Sequence, residues 1–351
     1  MRNVTSIFLA TTILAAGIGA AQAEVNVVVS IKPVHALVAA IMDGAGTPDL
    51  IIEGTGSPHN YALKPSQAQL LQNADLVFWI GHDFEQFLEK PIEGIATNAT
   101  SVALMDSHGL TKIKLREGGD FENHGHHDDH DDHADHDDDH DDHDDHADHD
   151  DDHDDHDDHD DHDDHDDHAD HADHDDHGNI DLHFWLDPIN AKAMVHTIED
   201  ALIAADPEHA ATYAANAERM MGRLDDLVVE VDAALAPVRG QGYIVFHDAY
   251  QYYENRFDIA AVGSITVSPE VMPGAKRVSE VQAKVRELDA ICVFSEPQFE
   301  PKLVSIIIEN TDAHTGVLDP LGATVAQGPD HYFTLIRNMT KALTDCLKPT
   351  S

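Results

Sequence analysis

From His124 to His177 the chain is built almost entirely of Asp and His, mostly as repeated Asp-Asp-His with occasional Ala. The run contains no apolar side chain larger than Ala, so it cannot bury a core and is expected to remain disordered. It interrupts an otherwise ordinary sequence and therefore reads as a long surface loop. The fold must come from the segments on either side. The run also holds 19 of the 29 histidines. Imidazoles two or three residues apart offer overlapping pairs to a divalent cation, and dense carboxylates raise the local cation concentration. The same carboxylates favour protonated imidazole, so capture should weaken below about pH 6.5. A disordered loop loses entropy with each ion it encloses. The run is thus expected to be a low-affinity trap; a merely solubilising segment is the plainer alternative.

The formal charge of -48 is concentrated in this region. Residues 120–178 carry 32 of the 68 acids and no Lys or Arg, which leaves 36 acids against 20 bases elsewhere. Such a chain repels phosphates, which excludes nucleic acid as a partner and favours metal cations. At the start, Arg2, the apolar run to Ala20 and the small-x-small triplet Ala21-Gln22-Ala23 fit a secretory signal peptide cleaved after residue 23. The apolar run is too short to span a bilayer. An exported chain meets an oxidising compartment, where the pair Cys292 and Cys346 reads as a disulfide; a catalytic cysteine is the alternative.

The remaining 328 residues exceed what one core normally serves, so two lobes are expected. Strand signals fall at 25–31, 49–52, 75–80, 243–246, 259–262, 290–294 and 315–318. Helix signals fall at 33–42, 65–73, 188–205, 276–288, 300–309 and 329–347. The longest helical pattern runs from 207 to 236, rich in Ala, Glu and Leu, with no internal Pro. This alternation predicts an α/β fold of two lobes, each a mostly parallel sheet flanked by helices, joined by one long linking helix. The expected borders are 24–206 for the first lobe, 207–236 for the linker and 237–351 for the second lobe.

Three histidines outside the run stand near the ends of predicted strands or helices. His59 closes the turn-rich Glu53-Gly-Thr-Gly-Ser-Pro-His59, His183 precedes the helix that opens at Pro188, and His247 follows the strand at 243–246. Asp319 follows the strand at 315–318. In open α/β sheets ligands bind beyond the carboxyl ends of strands, so the four could converge in the cleft between lobes. Neutral imidazole suits Zn²⁺, one carboxylate could complete a tetrahedron, and manganese would demand more oxygen donors.

The stretches Ser57-Pro-His59-Asn-Tyr-Ala-Leu-Lys-Pro-Ser66, Gln72-Asn-Ala-Asp-Leu76, His183-Phe-Trp-Leu-Asp-Pro188, Phe246-His247-Asp-Ala-Tyr250, Phe294-Ser-Glu-Pro-Gln298 and Leu318-Asp-Pro-Leu-Gly322 resemble the periplasmic metal-binding receptors of ABC importers. The Asp/His run between the first two ligand segments is similar to that of the zinc branch, the ZnuA type. The resemblance implies a non-catalytic, monomeric zinc receptor, with His59, His183 and His247 as ligands of a transported Zn²⁺. It also implies the Cys292–Cys346 disulfide, a zinc permease with its ATPase as partners, and a periplasmic zinc chaperone as a further candidate. Some zinc members carry Glu immediately before the first histidine; here that position is Pro58, which leaves Asp319 or water as fourth ligand. His35, His82, His196, His209, His314 and His331 match no ligand motif and read as structural or surface groups.

Two other functions are open to such a chain: a manganese or iron receptor of the same fold, and a secreted zinc hydrolase. No His-Glu-x-x-His motif supports the hydrolase. If the Asp/His run is only a trap, deleting residues 124–177 leaves one tight zinc site, which an isothermal titration would count directly. Loss of nearly all binding would mark a storage protein instead.

Overall fold

The computed structural model describes residues 25–116, 121, 180–266, 269, 273–287, 291–299 and 302–348. The expected signal peptide and the Asp/His run both lie outside these residues. Four strands form the first sheet: β1 (Val27–Val29), β2 (Asp49–Leu50), β3 (Leu76–Trp79) and β4 (Thr100–Ala103), ordered β2-β1-β3-β4 and all parallel. Four more form the second: β5 (Tyr243–His247), β6 (Ala261–Thr266), β7 (Cys292–Ser295) and β8 (His314–Val317), ordered β6-β5-β7-β8 and again all parallel. The same connectivity is used twice. In each sheet the second strand lies on one side of the first and the third on the other, which opens a crevice beyond the carboxyl ends of the two central strands.

Central parallel strands are covered on both faces and so read as continuous apolar runs. β1 and β3 are buried at every residue, as is β5, whereas the edge strand β8 is largely exposed. β4 was missed in the sequence because an edge strand reading Thr-Ser-Val-Ala lacks that apolar run. Two short helices were missed as well. Pro91 lies inside α3 (Gln86–Gly94) and masks its helical pattern, and α6 (Gln251–Phe257) is only two turns long.

The remaining helices are α1 (Lys32–Ile41), α2 (Pro65–Asn73), α4 (Pro188–Ala205), α5 (Ala210–Leu235), α7 (Ala275–Glu287), α8 (Lys302–Ile307) and α9 (His331–Leu347). α5 is the long helix expected between the sheets. A 3₁₀ turn at Pro207–His209 leads into it and another at Ala236–Val238 ends it. At 1.5 Å per residue it runs about 39 Å. Its buried stripe, Tyr213, Ala217, Met220, Leu224, Leu227, Val231 and Leu235, recurs at helical spacing. That stripe faces α1 and α4 from the first half of the chain and α9 from the second.

The two halves consequently share apolar packing. One cluster runs from β1 and β3 through α4, α5 and α9 to Tyr243, Val245 and Phe294 of the second sheet. A smaller one, with Ile244, Phe246 and Val293, fills the space under α7 and α8. Polar contacts reinforce the joint. The Arg256 guanidinium donates twice to the Asp187 carboxylate at 2.7 Å, and Tyr252 Oη donates to the Asp181 carbonyl at 2.7 Å. Lys32 Nζ donates to the carbonyls of Ala323 (2.7 Å) and Val325 (3.2 Å).

Cys292 at the start of β7 and Cys346 in the last turn of α9 form the expected disulfide, with Cα atoms 6.1 Å apart. It closes a separation of 54 residues, which on the chain-entropy view stabilises the fold by about 4 kcal/mol. Urea unfolding of Cys346→Ser should show a loss of that order relative to the oxidised wild type; an unchanged midpoint would mean that α9 is held by its apolar face alone.

Candidate metal centre

Each of the three histidines is delivered by a different device. His59 lies in the 3₁₀ turn Pro58–Asn60, whose first position suits a proline. The approach to that turn passes Gly56, where a Cβ would come within 2.8 Å of the Tyr61 ring and displace it. Gln67 pins the segment by donating to the Ile51 carbonyl (2.5 Å) and to Tyr61 Oη (2.8 Å). His183 sits just before the 3₁₀ turn Phe184–Leu186, which runs into α4. Asp187 caps α4 by accepting from Ile189 N–H at 2.8 Å. Trp185 anchors the turn across the joint: Nε1 donates to the Pro320 carbonyl at 2.9 Å, and its own carbonyl accepts from Tyr332 Oη at 2.7 Å. His247 is the last residue of β5, at the crevice of the second sheet.

The structure brings these three together. One nitrogen from each of His59, His183 and His247 lies within 4.8 Å of the others. His183 and His247 are buried, at 7 % and 4 % exposure, while His59 is half-buried and forms the accessible side. Phe84 closes over them, its ring centroid 4.8 Å from that of His59 and 5.4 Å from that of His183. Phe84 is held by the turn after β3, where Glu85 accepts from the N–H groups of Ile80 (2.7 Å) and Gly81 (3.2 Å). Burial pushes the Glu85 carboxyl up to about 7. The space lined by the histidines, Phe84, Trp185, Phe299 and Leu321 is about 10 Å³, enough for an ion or a water-sized sphere.

Two carboxylates that the sequence did not single out orient the rings. His183 Nδ1 lies 2.7 Å from Asp181 Oδ1, and His247 Nδ1 lies 2.7 Å from Glu296 Oε1. A carboxylate only accepts, so each Nδ1 carries a proton, and in the neutral ring each Nε2 presents a lone pair. Those two Nε2 atoms face one another at 3.4 Å. Two bare lone pairs at that distance repel unless a metal ion lies between them or a proton on His247 joins them. Tetrahedral zinc with bonds of 2.0–2.1 Å places neighbouring nitrogens about 3.3–3.4 Å apart. Asp181 was hidden because a carboxylate two residues before a histidine has no distinctive pattern. Glu296 lay in a quoted motif, directly after β7, but its partner is 49 residues away.

Asp319, the fourth candidate, stands apart from the cluster. Its Oδ1 accepts from Gln298 Nε2 (3.1 Å) and Leu321 N–H (3.2 Å), and its Oδ2 from Ala323 N–H (2.6 Å). It shapes the turn after β8, and it is not among the residues whose donor atoms gather within 4.8 Å. The other histidines have local roles or lie at the surface. His35 is buried against the Pro48 carbonyl at 3.0 Å, and His331 contacts the Leu321 carbonyl at 2.9 Å. His82, His196, His209 and His314 are exposed or partly so.

Burial opposes a charge on His247, but the charge and hydrogen bond of Glu296, backed by Asp248 and Asp181, raise its pKa above the ordinary imidazole value. Burial, together with His183 and His247, drives His59 down to about 2. Metal requires neutral imidazole, so protons compete at His247 and not at His59 in the physiological range. Affinity is complete above the raised His247 pKa and is lost as pH falls through it. In protein lacking residues 124–177, log affinity should rise with pH and approach a slope of one below the raised His247 pKa. A flat profile there would contradict this assignment. Glu296→Gln should lower affinity by roughly 10- to 100-fold at constant pH, as read by chelator competition.

Similarity to known proteins agrees with this geometry. The family described as "Zinc-uptake complex component A periplasmic", ZnuA, matches residues 27–346. The high-affinity zinc uptake system protein ZnuA of Brucella abortus is 53% identical over 349 residues, covering 99% of each chain. That of Haemophilus influenzae is 40% identical over 326 residues, covering 93% of this chain and 94% of the relative. A crystal structure of ZnuA superposes with a TM-score of 0.68 at 20% identity, covering 93% of this chain and all of that one. A manganese-bound periplasmic metal-binding protein from Candidatus Liberibacter asiaticus reaches 0.65 at 17%, covering 92% of this chain and all of that one, so the fold alone does not choose the metal. By sequence, the chain belongs to the ZnuA family of periplasmic zinc-uptake components.

Proposed function

We propose that this protein is the high-affinity periplasmic receptor that captures Zn²⁺ and presents it to an inner-membrane ABC permease. His59, His183 and His247 act as the protein ligands, and water occupies the fourth position of the tetrahedron. The observation that carries the reading is the 3.4 Å approach of two imidazole Nε2 atoms whose Nδ1 protons are both engaged by carboxylates. That arrangement suits a metal cation, in competition with a proton on His247. The protein donors are all nitrogen, which favours zinc over manganese. The Asp/His run serves as the weaker trap that gathers zinc nearby.

Family membership implies a cognate permease and ATPase. His59 comes from the first half of the chain and His247 from the second, so docking that shifts one against the other would open the coordination sphere. α5 is continuous and cannot hinge without breaking backbone hydrogen bonds, so small tilts of the halves are the expected motion. The receptor works as a monomer, and a periplasmic zinc chaperone is a further partner for the Asp/His run.

Single substitutions test the ligand set. His59→Ala, His183→Ala and His247→Ala should each weaken the tight site by at least roughly a hundredfold, about 2.7 kcal/mol. Chelator competition on protein lacking residues 124–177 reads this without interference from the trap. A variant that keeps wild-type affinity would remove that histidine from the site.

A further inference from the structure

We propose that Glu85 is a positioning residue that sets how long the metal stays bound: it folds the turn after β3 onto itself and so holds Phe84 against His59 and His183. The inference deepens the receptor reading above and rests on it. The two sheets share one connectivity, but only the second ends its first strand in a histidine. In the matching crevice of the first sheet, beyond β1 and β3, the fully buried Glu85 side chain is seated instead. Its Oε2 accepts from the N–H groups of Ile80 (2.7 Å) and Gly81 (3.2 Å), the two residues that follow β3. Burial raises the carboxyl to about 7, and Ser30, Gly81 and Ile80 restrain the rise. Ser30 is the residue that follows β1.

The carboxylate closes a tight turn. The N–H groups of Phe84 and Glu85 both donate to the Gly81 carbonyl, at 3.1 and 3.0 Å, and the Glu85 carbonyl starts α3 by accepting from Leu88 N–H at 2.8 Å. Gly81 has a φ of +152°, and a Cβ there would press on Met105 Sδ, so the turn is also packed from behind. Phe84 is only 4 % exposed. Its ring meets three others edge-on, with centroids 4.8 Å from His59, 5.4 Å from His183 and 5.1 Å from Trp185. Metal leaves a histidine centre when an imidazole swings off it, and a ring wedged against His59 and His183 opposes that swing. An apolar side chain at position 85 would leave the Ile80 and Gly81 N–H groups without their acceptor. The turn would then shift to satisfy them and carry Phe84 away from the histidines.

The test uses the full-length protein loaded with one equivalent of Zn²⁺ and chased with excess chelator. Release is followed by tryptophan fluorescence, because the Trp185 ring lies 5.2 Å from that of His183. Glu85→Leu should speed release about tenfold, the size expected for loss of two ring contacts. Glu85→Gln, which keeps an acceptor oxygen for the same N–H groups, should restore the slow rate. Phe84→Ala should match Glu85→Leu, and the double variant should be no more than about twofold faster than Phe84→Ala, because both changes remove the same contact. Should Glu85→Leu lose its fold by circular dichroism, Gly81→Ala disturbs the same turn through Met105 and should speed release likewise. An unchanged rate in Phe84→Ala or in the turn variant would overturn the proposal. So would a Glu85→Gln rate as fast as that of Glu85→Leu, or effects that multiply in the double variant. Wild-type protein that takes up no zinc would instead sink the receptor reading, and the reference arm shows this separately.

Discussion

Two short hydrogen bonds organise the centre: Asp181 to His183 Nδ1 and Glu296 to His247 Nδ1, both at 2.7 Å. Each fixes a tautomer, and together they turn two lone pairs toward a single point. Without them the imidazoles would be ordinary buried histidines, free to rotate and to exchange the proton between nitrogens. With them, the Nε2 atoms are held 3.4 Å apart, where either a metal ion between them or a proton on His247 joins the two rings. The rings are thus already oriented, and binding energy need not be diverted to arranging them.

The fold exists to bring these bonds to one place. His247 and Glu296 arise at the carboxyl ends of the two central strands of the second sheet, β5 and β7. Asp181 and His183 precede α4, yet their segment is fastened to the second half by Tyr252, Arg256, Pro320 and Tyr332. Arg116 pairs with Asp248, next to His247, and with Glu254, so the last described stretch before the Asp/His run also grips the second half. His59, by contrast, is carried by a loop of the first half and is the most accessible of the three. The centre therefore pairs two buried histidines with a third on its more accessible side.

Much of this was legible in the sequence, and the reasons are physical. Parallel central strands must be apolar throughout, so β1, β3 and β5 stood out, whereas the polar edge strand β4 and the proline-bearing α3 did not. α5 announced itself by thirty residues of helical spacing. Histidines at strand and helix ends flagged the cation chemistry, and the motifs around them carried the resemblance. The carboxylates behind the rings escaped notice because a hydrogen bond between residues 49 apart, as in His247 and Glu296, leaves no local trace. Asp319 illustrates the converse: a carboxylate in the right turn can be engaged by the turn itself, and only the backbone geometry reveals it.

The most direct measurement is diffraction at the zinc absorption edge from crystals of the zinc-loaded protein. A single strong anomalous peak bonded to Nε2 of residues 59, 183 and 247, with the carboxylate of residue 319 still on its turn amides, is the expected result. An ion seated elsewhere among the described residues, or coordinated through Nδ1 of either buried ring, would contradict the central claim.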